Sequence, residues 1–285
     1  MTDYSATDLA RLLDLEPLEH NLYRGQNRDI GSGRIYGGQV LAQALVAASR
    51  TVDEDRPVHS MHGYFILPGD LDAPVVYFVD RLRDGGSFTT RRVTAIQHGR
   101  AIFNLAASFH RREDGPEHQV EMPDVPGPDG LPSELELIRA MEDRIPPEKR
   151  RVLTQDRPLD IRPVDPLDPF DPEPHPPVRH LWVRAAGGVG SPLLHRAVLA
   201  YASDYGLLGA ALQPHGITWR RDDVMVASLD HAVWFHRDVD VSSWLLYTME
   251  SPTTGGARGF ARGAFYTRDG VLVASVAQEG LIRPV

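Results

Sequence analysis

Apolar residues recur with a helical period between Arg34 and Thr51, where Val40, Leu41, Ala44, Leu45 and Ala48 share one face. The spacing predicts a helix with glycines at its start. Four strand-like runs follow at His59–Ile66, Val75–Arg83, Ser87–Gln97 and Arg100–His110. The same order returns later in the chain. A helix is predicted over Pro192–Leu212, because Ser191-Pro192 matches an N-cap followed by proline at the first helical position. Strands are then predicted at Met225–Arg237, Trp244–Ser251, Arg258–Thr267 and Val271–Ile282.

At an offset of 171 residues, Gly85, Arg91, Gly99 and Ala107 fall on Gly256, Arg262, Gly270 and Gln278, which suggests an internal repeat. A long helix followed by hairpin-connected strands supplies the parts of a curved antiparallel sheet wrapped around a helix. Two such units side by side can share one continuous sheet, an α+β architecture. Between them, fifteen of the 23 prolines lie from Pro116 to Pro177. That stretch cannot sustain a regular helix or a central strand for long. It reads as a surface connector with one short helix near Ser133–Arg144, N-capped by Ser133. The expected division is 1–115, 116–178 and 179–285.

Three polar residues of the second half interrupt apolar rows. Ala197, Tyr201, Asp204 and Leu208 are spaced 4, 3 and 4, which puts Asp204 on the helix's apolar stripe. Gln278 shares a strand face with Leu272, Ala274, Val276, Gly280 and Ile282, and Ser228 shares one with Val224, Val226, Ala232 and Trp234. Buried polar groups are costly unless they satisfy one another or hold a water. The first half carries Ala107 at the place of Gln278, and no acidic residue from Arg34 to Val52. One half looks equipped and the other structural. His62 and His231 correspond at an offset of 169, and both read as core histidines more readily than as bases.

Composition removes several chemistries. The chain has 285 residues, 42% of them apolar, and no cysteine. Disulfides, thiolate metal ligands and a cysteine nucleophile are thereby excluded. No run reaches the roughly 18–20 apolar residues of a membrane-spanning helix. A net charge of -9 makes nucleic acid an unsuitable partner. No His-Glu-x-x-His or Gly-x-Ser-x-Gly motif occurs, so neither a zinc site nor an acyl-enzyme serine is expected. Asp84-Gly85-Gly86-Ser87 reads as a turn between strands. The start Met1-Thr2-Asp3-Tyr4 lacks a secretory pattern, and the end Arg283-Pro284-Val285 lacks a peroxisomal address. A cytoplasmic, bacterial setting is the expectation.

Longer motifs carry a family resemblance. They are Tyr36-Gly37-Gly38-Gln39, His59-Ser60-Met61-His62-Gly63-Tyr64-Phe65-Ile66-Leu67-Pro68-Gly69, Arg83-Asp84-Gly85-Gly86-Ser87-Phe88, Leu212-Gln213-Pro214-His215-Gly216, Leu229-Asp230-His231-Ala232-Val233-Trp234-Phe235-His236-Arg237 and Gln278-Glu279-Gly280. Running from about residue 24 to 283, they resemble the acyl-CoA thioesterase II family. The resemblance implies a double hot-dog fold and a catalytic set of Asp, Ser or Thr, and Gln, falling here on Asp204, Ser228 and Gln278. It also implies direct hydrolysis of acyl-CoA by a water that Asp204 activates, without a cofactor or metal.

Gly37 and Gly38, at the opening of the first helix, are candidate backbone donors to the thioester carbonyl, although a tight turn explains them equally. Arg258 and Arg262 are candidates for the coenzyme A phosphates, against the plainer reading as solvated strand ends. Exposed strand edges and the paired units point to a homo-oligomer. Two other activities suit the same fold. An enoyl-CoA hydratase would carry an Asn-Pro-[Ile/Leu]-His-like motif, which is absent. A non-catalytic acyl-CoA binder would show erosion of the polar trio, which is intact.

Overall fold

The computed structural model describes residues 5–219, 221 and 223–285. Met1–Tyr4, on which the expectation of no leader rests, lie outside the described residues. Helix α1 (Ala6–Leu13) starts at a capping box in which Ser5 and Asp8 satisfy each other's backbone N–H groups. There follow β1 (Glu16–Glu19), β2 (Leu22–Gly25), α2 (Gly37–Ser49), β3 (Val58–Phe65), β4 (Val75–Asp84), β5 (Phe88–Gln97) and β6 (Arg100–His110). The connector holds α3 (Glu134–Ala140), α4 (Pro147–Leu153) and β7 (Leu159–Pro163). The second half runs β8 (Val178–Ala185), α5 (Pro192–Ser203), α6 (Gly209–Leu212), β9 (Val224–Ser228), β10 (Asp230–Phe235), β11 (Leu245–Gly255), β12 (Arg258–Thr267) and β13 (Leu272–Pro284).

These strands form one 13-stranded sheet in the order β1-β2-β4-β5-β6-β3-β10-β13-β12-β11-β8-β7, with β9 paired to the far end of β13. Every pairing is antiparallel. The halves meet at a seam between β3 and β10, in register from Asp230↔Tyr64 to Trp234↔Ser60. Each half wraps a helix, and α2 packs directly on α5. Tyr36 donates its hydroxyl to the Tyr201 carbonyl at 2.9 Å, and a Cβ on Gly38 would stand 2.4 Å from that same carbonyl oxygen. The double hot-dog expected from the sequence is the fold.

Several local expectations change. The first helix begins at Gly37 rather than Arg34, and Gly38 to Ala48 are buried all round it because the sheet and α5 enclose it together. The second helix stops at Ser203. Asp204 is its C-cap, the following turn uses Gly206 at φ +73°, and α6 restarts at Gly209. The Pro-rich connector carries two helices and also β7, a true edge strand, where proline at the strand's end is tolerated. Met225–Arg237 is two strands, not one. Leu229 lies between them, donating to the Glu279 carbonyl and accepting from the Phe65 N–H, both at 2.9 Å.

That break reverses the inside–outside parity. Ser228 points inward with the even positions before it, whereas on β10 His231, Val233 and Phe235 are buried together with the small Ala232, and Trp234 is exposed. Pairing also corrects the repeat. Arg91 faces Ala107 across β5 and β6, and Ala261 faces Gln278 across β12 and β13. Arg91 therefore corresponds to Ala261, not Arg262. By the same registers His231 corresponds to Met61, and His62 lies on the outer face.

The connector docks close to the end of α5. Glu134 of α3 accepts from the Tyr205 hydroxyl and from Arg157 at 3.0 Å, and Arg157 also donates to the Tyr205 oxygen at 3.0 Å. Burial, reinforced by the Glu134 charge, holds the Tyr205 phenol well above its usual range, so it remains a donor. Glu134→Ala should leave Arg157 and Tyr205 without their acceptor and destabilise the fold by roughly 1–3 kcal/mol, read from urea unfolding. At the seam, a Cβ on Gly63 would stand 2.3 Å from the Phe103 ring and 2.8 Å from the Asn104 carbonyl oxygen. Gly63→Ala should cost about 1–3 kcal/mol by overpacking, seen as a lower urea midpoint with an unchanged m-value.

Candidate active site

Asp204, Ser228 and Gln278 arrive from three elements and meet. The Gln278 amide nitrogen donates to Asp204 Oδ1 at 2.7 Å and to Ser228 Oγ at 2.9 Å. Its orientation follows from chemistry, since a carboxylate only accepts and the NH2 end must face it. Gln278 is 1% exposed and the Asp204 side chain 6%. The local sequence explains each placement. Asp204 occupies the cap where α5 ends, Ser228 ends β9 just before the Leu229 break, and Gln278 pairs with Ala261 on the inward face of β13.

The trio is rich in acceptors. With its nitrogen engaged twice, Gln278 keeps Oε1 buried and without a hydrogen-bond partner among the described residues. Ser228 accepts from Gln278, which leaves its O–H available to donate. A buried acceptor left unmet is the usual mark of a bound water or ligand.

The first half supplies the opposite wall. A Cβ on Gly37 would stand 2.8 Å from Asp204 Oδ2 and 3.0 Å from the Phe65 ring, so only glycine fits between the carboxylate and the ring. The start of α2 thus abuts Asp204, where the partial positive charge of a helix N-terminus favours an anion. Gly37 and Gly38 are the first residues of that helix, and their N–H groups have no acceptor among the described residues. The structure therefore brings Gly37 to the trio. Behind it, burial and then the Asp204 charge hold the Tyr36 phenol well above its usual range, which keeps its hydroxyl a donor to Tyr201.

Arg258 and Arg262 are not brought there. They stand on the sheet face opposite Gln278, 53% and 61% exposed, and are engaged by Glu279 at 2.9 Å and Glu250 at 2.5 Å. Alternation puts Ala261 inward beside Gln278 and turns Arg262 out. Both form exposed ion pairs on the outer face, away from the trio, as the plainer reading of solvated strand ends expects.

One of the two histidines is the core residue that the sequence suggested. His231 is fully buried, its Nε2 lies 2.8 Å from Ser203 Oγ, and its Nδ1 lies 3.9 Å from Asp204 Oδ1. Its parity is legible only once the Leu229 break is known. Ser203, His231 and Asp204 line up like a nucleophilic triad, but the Ser203 hydroxyl is 0% exposed and donates to the Ala200 carbonyl at 2.8 Å. It cannot reach a substrate. Asp230, on the same strand, fixes the break by accepting from the Glu279 N–H at 2.6 Å and bonding His62 at 3.0 Å. No group of three or more His, Cys, Asp or Glu among the described residues is arranged to hold a metal ion. No helix among them is long and apolar enough to cross a membrane.

Residues 149–281 match the model of the acyl-CoA thioesterase family, and residues 26–110 match that of the acyl-CoA thioesterase N-terminal domain. Acyl-coenzyme A thioesterase 8 of Homo sapiens is 41% identical over 99% of this chain and 90% of its own length. The crystal structure of an acyl-CoA thioesterase II, TesB2, from Mycobacterium marinum superposes with a TM-score of 0.80 at 42% identity, covering 97% of this chain and 98% of that one. A protein with a hot-dog fold from Alicyclobacillus acidocaldarius superposes at 0.76 with 20% identity, covering 97% and 98%, a likeness of fold alone. With both family models matched along the chain and a full-length relative above 40% identity, this chain belongs to the acyl-CoA thioesterase family.

Proposed function

We propose that this thioesterase hydrolyses fatty acyl-CoA to the free acid and coenzyme A by direct attack of a water held among Asp204, Ser228 and Gln278. The observation that carries the reading is the Gln278 amide. It ties Asp204 to Ser228 while leaving its own Oε1 unmet, beside the opening turn of α2. A water supplies two O–H donors to such acceptors and can accept from the Ser228 hydroxyl.

Asp204 acts as general base. Its Oδ2 takes a proton as the water oxygen bonds to the thioester carbon. The resulting oxyanion accepts from the Gly37 and Gly38 N–H groups, donors that are already fixed in place and need no reorganisation. The C–S bond then breaks, and the proton passes from Asp204 to the departing thiolate sulfur. Homo-oligomer formation in a cytoplasmic setting belongs to the same reading. Tyr64, Ile66 and Trp234 are exposed apolar residues at the β3–β10 seam, and light scattering on the eluted protein would detect association.

Thiol release from acyl-CoAs of graded chain length, run on wild type and Gln278→Ala in parallel, tests the reaction. Hydrolysis by the wild type and its loss in the variant is expected, and a folded wild-type protein inert on the whole panel would overturn the reading. Asp204→Asn should lower kcat by about 10²–10⁴-fold, the range for removal of a general base. Ser228→Thr should retain substantial turnover because the hydroxyl remains, whereas Ser228→Ala should lose most of it. Near-wild-type kcat in Asp204→Asn would sink the assignment of the base.

A further inference from the structure

The side chain whose placement the reaction above leaves unused is His231. The Ser203 hydroxyl lies 2.8 Å from both the Ala200 carbonyl and His231 Nε2, and it has one proton to give. We take that proton to be on the Ala200 carbonyl, so that Nε2 carries the hydrogen toward Ser203. A neutral ring then has a bare Nδ1, and this atom is buried, unpartnered, and 3.9 Å from Asp204 Oδ1. Two acceptors face each other across a gap too wide for a hydrogen bond.

We propose that His231 is a positioning residue for Asp204. As a neutral Nε2–H ring it keeps Asp204 Oδ1 committed to Gln278 and Oδ2 free for water, and on gaining a proton at Nδ1 it captures the carboxylate and switches the base off. The inference rests on Asp204 being the general base. Its chemistry is a single proton equilibrium: a solvent proton binds Nδ1, and the imidazolium, still donating to Ser203 through Nε2, donates to Asp204 Oδ1. A shift of about 1 Å closes the gap to ordinary hydrogen-bond length. The carboxylate is then held from two sides by donors and no longer takes a proton from water.

The ionisable groups that act on the ring are Asp204 at the end of α5, Asp230 on its own strand, and His62 across the seam on β3. Burial lowers the ring's affinity for a proton below the ordinary imidazole range. The two aspartates oppose that, and His62 adds to it. The sign follows: His231 is neutral and permissive at pH 7, and activity falls only as pH drops below the usual imidazole value. A core histidine with a purely structural role would not set the acid limb of turnover.

Imidazole ¹⁵N NMR on wild-type protein reads the premise directly. At pH 8 the His231 ring should be the Nε2–H tautomer with an unprotonated Nδ1, and a neutral Nδ1–H ring would overturn the proposal. The pH profile of kcat reads the consequence. In the wild type kcat should fall tenfold per unit below the titration midpoint of His231, with little change in KM. His231→Gln keeps an NH2 donor for Ser203 and has no titrating group, so its acid limb should move to lower pH. An unchanged limb in a folded His231→Gln protein would refute the switch. If that variant does not fold, the comparison is made in wild type alone, where a midpoint of kcat/KM that differs from the NMR midpoint of His231 in the free protein would refute it. Asp204→Asn separates the two levels. Loss of turnover with the His231 titration moved downward supports both, whereas full turnover overturns the base and the inference together.

Discussion

The pairing of β3 with β10 is the constraint on which the rest of this molecule depends. It joins two curved sheets edge to edge, so their concave faces open to the same side and the helices they wrap are pressed together. That contact is tight enough to require glycine at position 38, against the Tyr201 carbonyl. The start of α2 is thereby delivered to the end of α5. Asp204 belongs to the second half and Gly37 to the first, and only the seam brings them within van der Waals reach. The candidate site is a property of the joined pair, and neither half contains it alone. The seam also holds the Leu229 peptide, through Phe65 on one side and Glu279 on the other, and so places Ser228.

Burying a carboxylate, an amide and an imidazole together is expensive, and the fold meets most of that cost locally. Gln278 satisfies Asp204 and Ser228, Ser203 satisfies one nitrogen of His231, and Asp230 anchors the break in the strand. Two buried polar atoms at the centre, Gln278 Oε1 and His231 Nδ1, have no protein partner among the described residues. In the proposed reaction a water O–H meets the first, an acceptor that a hydrogen bond from another protein group would have consumed beforehand.

How much of this was legible in the sequence follows from which interactions are local. The helix followed by four strands, occurring twice, was readable because periodicity is a property of consecutive residues. Asp204, Ser228 and Gln278 stood out because each breaks an apolar row. The end of α5 at Ser203 was not readable, since the helical spacing of Ala197, Tyr201, Asp204 and Leu208 continues past the point where Gly206 turns the chain. Nor was the parity change at Leu229, which is set by bonds to residues 65 and 279, far away in sequence. That single break hid which face of β10 His231 takes, although the sequence already offers it as a core histidine. The outward aim of Arg262 was hidden by one residue of register, because β5 and β12 correspond at an offset of 170 (Arg91 to Ala261) while β6 and β13 correspond at 171 (Ala107 to Gln278).

The residue at the place of Ala261 separates the half that carries the trio from the half that does not. At the place of Ala261 the first half has Arg91, 1% exposed, which donates to the Thr51 hydroxyl at 2.8 Å, the Thr51 carbonyl at 2.9 Å and Asp84 at 2.6 Å. Thr51 lies just beyond the end of α2, as Asp204 lies at the end of α5. A guanidinium therefore fills in the first half the space that the amide and carboxylate share in the second. Its donors engage the carbonyl oxygens of Arg83, Thr90 and Thr51, and Ala107 offers no amide. Restoring a second site would require removing the arginine, and with it the hydrogen bonds that close the end of α2. The asymmetry is thus held in place by stability as much as by chemistry: one pocket is kept polar and unmet, the other is closed by its own cation.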